Sequence, residues 1–232
     1  MRPIKQLVSS AVNAKLKKEF TTQKVERLNE RPVEYAFALK MLSKYYPKKL
    51  LDVGTGTTAF PHLLRNCGMH VTAIDNVKDY WPKGMFNRHY YVLDEDILEP
   101  TLKNTYEMIF CISTLEHIEN AELAVENMSK LLDKKGFIVL TFPSSPKGYV
   151  RNCYELEDSS YGKNNPYIAQ SFSPNDIQQW CRSFNLEVVQ SECWKFWTGE
   201  YWTCGDQLLP PKLVQEDEAY QLRCLCLRFS RR

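Results

Sequence analysis

Residues 4–20 place Ile4, Leu7, Val8, Ala11 and Val12 at helical spacing, so the chain opens on an amphipathic helix. A second helix is expected from Pro32 in "ERPVEYAFALKMLSKYY", where proline suits the first turn and Val33, Ala36, Phe37 and Leu39–Leu42 follow. From Lys48 the pattern alternates. "KLLDV" is a short buried strand, and Phe60, Leu63, Leu64 and Cys67 then recur at i, i+3, i+4 and i+7 until Gly68 ends the helix. "HVTAID" is the next strand, "HYYVLDEDI" contains a third and "YEMIFCIS" is a fourth. A helix from Asn120 turns Val125, Met128, Leu131 and Leu132 inward, with Lys134 and Lys135 in its last turn and Gly136 as its stop. "GFIVLTFP" is a strand, Ser173-Pro174 caps a helix presenting Ile177, Trp180, Cys181 and Phe184, and "LEVVQSECW" and "QLRCLCLRF" close the chain as strands. The last strand is apolar on both faces, which places it inside the sheet.

Strands alternating with helices imply parallel strands, right-handed crossovers and helices on both sheet faces. Two final strands with no helix between them add one antiparallel strand. The expectation is a Rossmann-like α/β domain over residues 47–232, preceded by a helical cap at residues 1–46, in one compact whole. No repeat or low-complexity linker interrupts it.

Composition changes this picture little. With 232 residues, 44% hydrophobic and 25% charged, the chain has the make-up of a globular protein. The net charge is +2, but residues 1–46 hold ten Lys/Arg against four Glu, a basic arm that either faces an anionic ligand or is a solvated helix face. The near-neutral balance and the lack of a recognisable binding module argue against nucleic acid. No apolar run approaches the ~20 residues of a membrane span. Polar Gln6, Ser9, Ser10 and Asn13 break up any signal-peptide core. Eight cysteines without paired spacing read as free buried thiols, so a cytoplasmic location is expected.

The chemistry gathers at "KLLDVGTGTTAF". Gly54-Thr55-Gly56-Thr57-Thr58-Ala59 satisfies the G-x-G-x-x-G/A pattern of pyrophosphate turns, so spacing alone leaves a dinucleotide open. Three acids argue otherwise. Asp52, two residues before Gly54, would repel a pyrophosphate but suits an ammonium group. Asp75, 19 residues after Gly56, can accept both hydroxyls of a ribose. Asp96, followed by Ile97, can accept from an adenine amine while the isoleucine packs on the ring. An amine, a ribose diol and an adenine without a diphosphate describe S-adenosylmethionine.

"LLDVGTGTTAF", "TAID", "DEDI" and "IFCISTLEHI" together resemble the successive motifs of class I S-adenosylmethionine-dependent methyltransferases, especially the small-molecule branch (methyltransferase type 11-like). The resemblance covers residues 46–145, with Thr58 where many members carry a third glycine. It implies a seven-stranded, mostly parallel sheet of order 3-2-1-4-5-7-6 with the last strand antiparallel. It also implies that Gly54 and Gly56 approach the methionine part, Asp75 the ribose, and Asp96 and Ile97 the adenine, with Thr55, Asn76 and Ser113 beside them.

The acceptor must be held on the axis of the bond that breaks, with water excluded. "STLEHIEN" follows the fourth strand, and His117 is the best base there, since histidine ordinarily titrates near ~6.5. His62 falls on a helix, and His70 and His89 lie at strand starts on the opposite rim. Glu116 accompanies His117 as a catalytic candidate. Some members carry E-x-x-E-H at this place and bind a divalent metal; here Ser113 replaces the first glutamate, so no metal is expected. Arg31, Tyr35, Arg151 and Tyr154 are candidate substrate contacts, Arg151 for a phosphate or carboxylate. Trp197 and Trp202, in a segment holding three of the five tryptophans, either form a platform for a ring or cover the sheet edge or a dimer interface. The expected activity is methyl transfer to a small polar acceptor, to oxygen rather than nitrogen. A sugar, sugar nucleotide or phosphorylated metabolite leads as acceptor, in a monomer or homodimer. A non-catalytic cofactor-binding module and an NAD(P)-dependent oxidoreductase are the rivals.

Overall fold

A computed structural model describes residues 2–21, 29–81 and 83–230. The chain divides into two units, Met1–Pro32 and Val33–Arg232. The first holds the helix α1 (Arg2–Thr21), along which Leu7, Val8 and Val12 are exposed; the side chain of Ile4 lies outside the described residues.

The second unit is built on a single sheet. Its strands are β1 (Lys49–Val53), β2 (His70–Asp75), β3 (Leu93–Asp94), β4 (Tyr106–Ile112), β5 (Leu132–Pro143), β6 (Leu186–Trp197), β7 (Gln207–Val214) and β8 (Leu222–Phe229). Their order is β3-β2-β1-β4-β5-β8-β6-β7, eight strands instead of seven. β1 to β5 are parallel, β8 runs antiparallel to β5 and β6, and β7 antiparallel to β6. Without β7 the order is the expected one. The extra strand forms in the segment between the last two expected strands, and its Pro210 and Pro211 have no ladder N–H to donate, which suits an edge.

The helices are α2 (Arg31–Tyr45), α3 (Phe60–Asn66), α4 (Val77–Tyr80), α5 (Ala121–Lys130) and α6 (Pro174–Ser183). Residues of α2 from Phe37 to Leu42, with Phe60 and Leu64 of α3, pack on one sheet face against Leu50, Met108 and Phe110. α5 and α6 cover the other, with Val125, Met128, Ile177 and Trp180 against Leu51, Ile109 and Leu140. Side chains alternate across a strand, and β8 shows the consequence. Leu225 and Leu227 enter one layer and Cys224 and Cys226 the other, so the strand is apolar on both faces because both are covered.

Besides β7, the short α4 was not expected, and the boundary between α5 and β5 and the placement of His89 differ from expectation. α5 ends at Lys130, and Lys134 and Lys135 belong to β5, which already pairs with Tyr106 through Leu132 across a bulge. Gly136 is therefore no helix cap. It is a strand glycine on which a Cβ would lie 2.8 Å from Leu132 Cδ1 and 3.0 Å from the carbonyl oxygens of Asp133 and Glu107. His89 lies in the loop before β3 rather than at a strand start. Among the described residues no helix is long and apolar enough to cross a membrane.

Candidate active site

The strand order reverses between β1 and β4, and a cleft opens beyond the carboxyl ends of the strands at such a point. The glycine turn stands there. Gly54 and Gly56 have φ of 72° and 55°, the left-handed region that glycine enters without steric cost. The Gly54 and Thr55 N–H groups both donate to the Ile74 carbonyl, so the turn is tied to the end of β2. Thr114 Oγ1 donates to the Gly54 carbonyl, and its side chain fills the space a Cβ on Gly54 would need.

Around the turn stand the three acids. Asp52 is buried and accepts from Thr55 Oγ1 at 2.7 Å. Asp75 accepts from the Gly56 N–H at 2.7 Å and from the Trp81 indole N–H at 2.9 Å. Burial pushes its pKa up, against the pull of those two donors. Asp96 accepts from Asn76 Nδ2 at 2.9 Å and from the Leu98 N–H at 2.8 Å. Ile97 packs into the core, its carbonyl held by Asn127 Nδ2. Thus Asp52, Gly54, Thr55, Gly56, Asp75, Asn76 and Asp96 do come together on one edge. Each carboxylate oxygen accepts up to two hydrogen bonds. Three such acceptors in neighbouring positions fit a ligand rich in N–H and O–H donors and would repel a diphosphate.

Ser113 follows β4 directly with φ of 48°, its N–H on the Thr141 hydroxyl and its Oγ donating to Glu116 Oε1 at 2.9 Å. A 3-10 turn over Leu115–His117 follows. Glu116 is only 3% exposed, and its Oε1 lies 3.8 Å from His117 Nε2. His117 Nδ1 lies against the Ile168 carbonyl. A carbonyl only accepts, so Nδ1 carries the hydrogen and the lone pair of the neutral ring sits on Nε2. The His117 carbonyl accepts from Tyr80 of α4, which ties this turn to the Asp75 side of the cleft. Gln170 fixes it from the other side, donating its N–H to the Glu116 carbonyl and its Nε2 to the Ile118 carbonyl. Among the described residues no group of three His, Cys, Asp or Glu is placed to hold a metal ion.

The candidate substrate residues divide. Tyr154 is buried beside Tyr161 and Tyr167, with ring centroids at 6.0 and 6.4 Å, and Tyr167 meets the His117 ring edge-on at 4.7 Å. Arg151 is exposed and paired with Glu119 at 2.9 Å. Tyr35 stacks on Phe60 at 4.8 Å. Arg31 belongs to the first unit, its N–H on Asn29 Oδ1. Trp197 is 3% exposed, in the core layer with Phe196, and Trp202 leans on both rings. Trp197 is thus part of the core, whereas Trp202 is half-buried against it.

Sequence reasoning missed Glu34, Trp81, Asn87, Thr141, Tyr161 and Tyr167. Glu34 is fully buried and accepts from the Thr141 hydroxyl at 2.7 Å, beside the Ser113 backbone. Its signal was present: Glu34, Ala38 and Met41 share the buried face of α2 at i, i+4 and i+7, so an acid stands on an apolar stripe.

A sheet that reverses at a glycine turn, with acids at or just beyond the carboxyl ends of three adjacent strands, defines a class I S-adenosylmethionine-dependent methyltransferase. Comparison with known families agrees: the family described as "Methyltransferase domain" matches residues 22–191, and the chain belongs to it. A similar curated protein is a ubiquinone biosynthesis O-methyltransferase of Rickettsia bellii (strain OSU 85-389), 23% identical over 182 residues, 72% of this chain and 73% of that one. In fold the chain is similar to the CcbJ methyltransferase from Streptomyces caelestis, with TM-score 0.57, 13% identity and 90% and 93% of the two chains covered. It is also similar to magnesium protoporphyrin IX methyltransferase from Synechocystis PCC 6803 with bound SAH, with TM-score 0.53, 15% identity and 94% of each chain covered.

Proposed function

We propose that the enzyme methylates a hydroxyl of a small, ring-bearing polar molecule and that His117 takes up the hydroxyl proton. The observation that carries this reading is the His117 ring, whose Nδ1 is engaged by the Ile168 carbonyl and whose Nε2 therefore holds the lone pair. When bound, S-adenosylmethionine supplies an electrophilic methyl group on a sulfonium. Asp52 would hold its ammonium group, Asp75 its ribose and Asp96 its adenine amine. Ile97 would support the adenine side from the core, and Ser113 and Asn76 hold neighbouring carboxylates in place. As His117 gains a proton, the buried Glu116 carboxylate at 3.8 Å stabilises the imidazolium.

Of a sugar, a sugar nucleotide and a phosphorylated metabolite, the first is best supported. Tyr167 stands against His117 and is continued by Tyr154 and Tyr161, an aromatic run that suits the apolar face of a ring. Arg151, the expected phosphate contact, already has Glu119. The name of the Rickettsia relative also favours oxygen as the acceptor atom. Eight free cysteines fit a cytoplasmic location.

The test is a panel of hydroxylated, phosphorylated and amino acceptors with methyl-labelled cofactor. Turnover should appear with a neutral hydroxylated ring, and His117→Gln should lower kcat by about 10²–10⁴-fold. Full turnover of His117→Gln would overturn the general base, and labelling confined to amines would overturn O-methylation.

A further inference from the structure

We propose that Trp81 is a positioning residue of the cofactor site, aiming the Asp75 carboxylate at the ribose diol, and that Asn87 pins the segment following Trp81 over the glycine turn. The proposal rests on the cofactor reading of Asp75 given above. A carboxylate offers about four acceptor directions. At Asp75 the Gly56 N–H takes one on Oδ2 and the Trp81 indole N–H takes one on Oδ1. One direction remains on each oxygen, the number that two vicinal hydroxyls need. With both oxygens fixed by donors from different elements, the carboxylate cannot rotate about its own bond, so the remaining lone pairs keep their aim.

The indole is itself held. A Cβ on Gly56 would lie 3.5 Å from Trp81 Cζ2, so the ring stands at contact distance above the glycine turn. The Trp81 N–H donates to the Val77 carbonyl, and its carbonyl accepts from the Gly84 N–H at 2.7 Å. Beyond it, Asn87 Nδ2 donates to the carbonyls of Gly56 and Thr58, both at 2.9 Å. Asn87 Oδ1 accepts from the N–H groups of His89 and Tyr90, and Tyr90 Oη donates to the Val71 carbonyl at 2.8 Å. One side chain thus joins the segment to the turn that must approach the ligand. The motif-bearing residues Gly56 and Asp75 are braced by two residues outside any motif.

The experiment is calorimetric titration of wild type, Trp81→Phe, Asn87→Ala and Asp75→Asn with S-adenosylhomocysteine and with its 2′,3′-dideoxyribose analogue. Wild type should prefer the natural ribose by about tenfold or more, as hydrogen bonds to a charged group allow. Trp81→Phe and Asn87→Ala should lose most of that ratio while binding the dideoxy analogue within about twofold of wild type. Trp81→His, which restores a ring N–H, should recover part of it. A wild-type ratio in Trp81→Phe, with the ratio lost in Asp75→Asn, overturns the role of Trp81 and leaves Asp75 standing. A ratio that survives Asp75→Asn overturns both. If circular dichroism shows Trp81→Phe unfolded, Asn87→Ala decides by the same criteria.

Discussion

A methyl group added to Gly54 would collide with the Thr114 side chain and force an L-residue to hold φ near 72°. Gly54→Ala is therefore expected to lose about 1–3 kcal/mol of stability from the backbone alone and to bind S-adenosylhomocysteine poorly, which urea unfolding and calorimetry will read. Asp75 makes a prediction of a different kind. Its pKa is raised, with burial as the largest cause, so protonation removes its acceptor capacity at a higher pH than for an ordinary aspartate. Affinity for S-adenosylhomocysteine should fall as pH descends through that raised value, and Asp75→Asn should be weaker and lack this fall. A fall unchanged in Asp75→Asn would assign the titration elsewhere. Asp52, Asp75 and Asp96 were legible in the sequence because each closes an apolar strand run beside a turn. Trp81 and Asn87 were not, because the irregular segment around them has no period to read, and the partner of Asn87, Gly56, lies 31 residues away. For Trp197 and Trp202 the sequence leaves core and ring platform equally open, because aromatic residues serve as both; burial puts Trp197 in the core and leaves Trp202 half-buried.

At the scale of elements, periodicity located nearly every helix and strand, and the errors fall where two signals coincide. Lys134, Lys135 and Gly136 carry the marks of a helix end, yet they enter β5 because a bulge lets Leu132 pair with Tyr106. β7 escaped notice because consecutive prolines demote a run to loop or edge, and here the edge was available. Ser173-Pro174 marks the start of α6 in the sequence, and the helix carries a complete capping box: Ser173 Oγ accepts from the Asp176 N–H, and Asp176 accepts from the Ser173 N–H. Ser173→Ala should cost about 1 kcal/mol, lowering Tm by about 2–4 °C in a chain of this size. An unchanged Tm would mean that the packing of Ile177 and Trp180 alone sets the stability of this helix.

Across the whole molecule, two core layers on one twisted sheet leave the thiols almost entirely inside. Cys111, Cys153, Cys193, Cys204, Cys224 and Cys226 are buried, Cys181 is half-buried and Cys67 is exposed. Burial pushes Cys153 and Cys226 up to about 12, and Cys111 and Cys224 well above the ordinary thiol range. A thiol reagent at neutral pH should thus modify one cysteine quickly in the folded protein, and Cys67→Ser should abolish that fast phase. The same sheet puts the acids and the glycine turn at one edge and Lys49 and His70 at the other, because all of β1 to β4 run the same way. A crystal structure with S-adenosylhomocysteine will show whether the methyl donor lies at the edge where the strand order reverses. The ribose hydroxyls should lie within about 3 Å of Asp75 and the adenine beside Asp96; a nucleoside lodged elsewhere, with Asp75 and Asp96 untouched, would contradict this assignment.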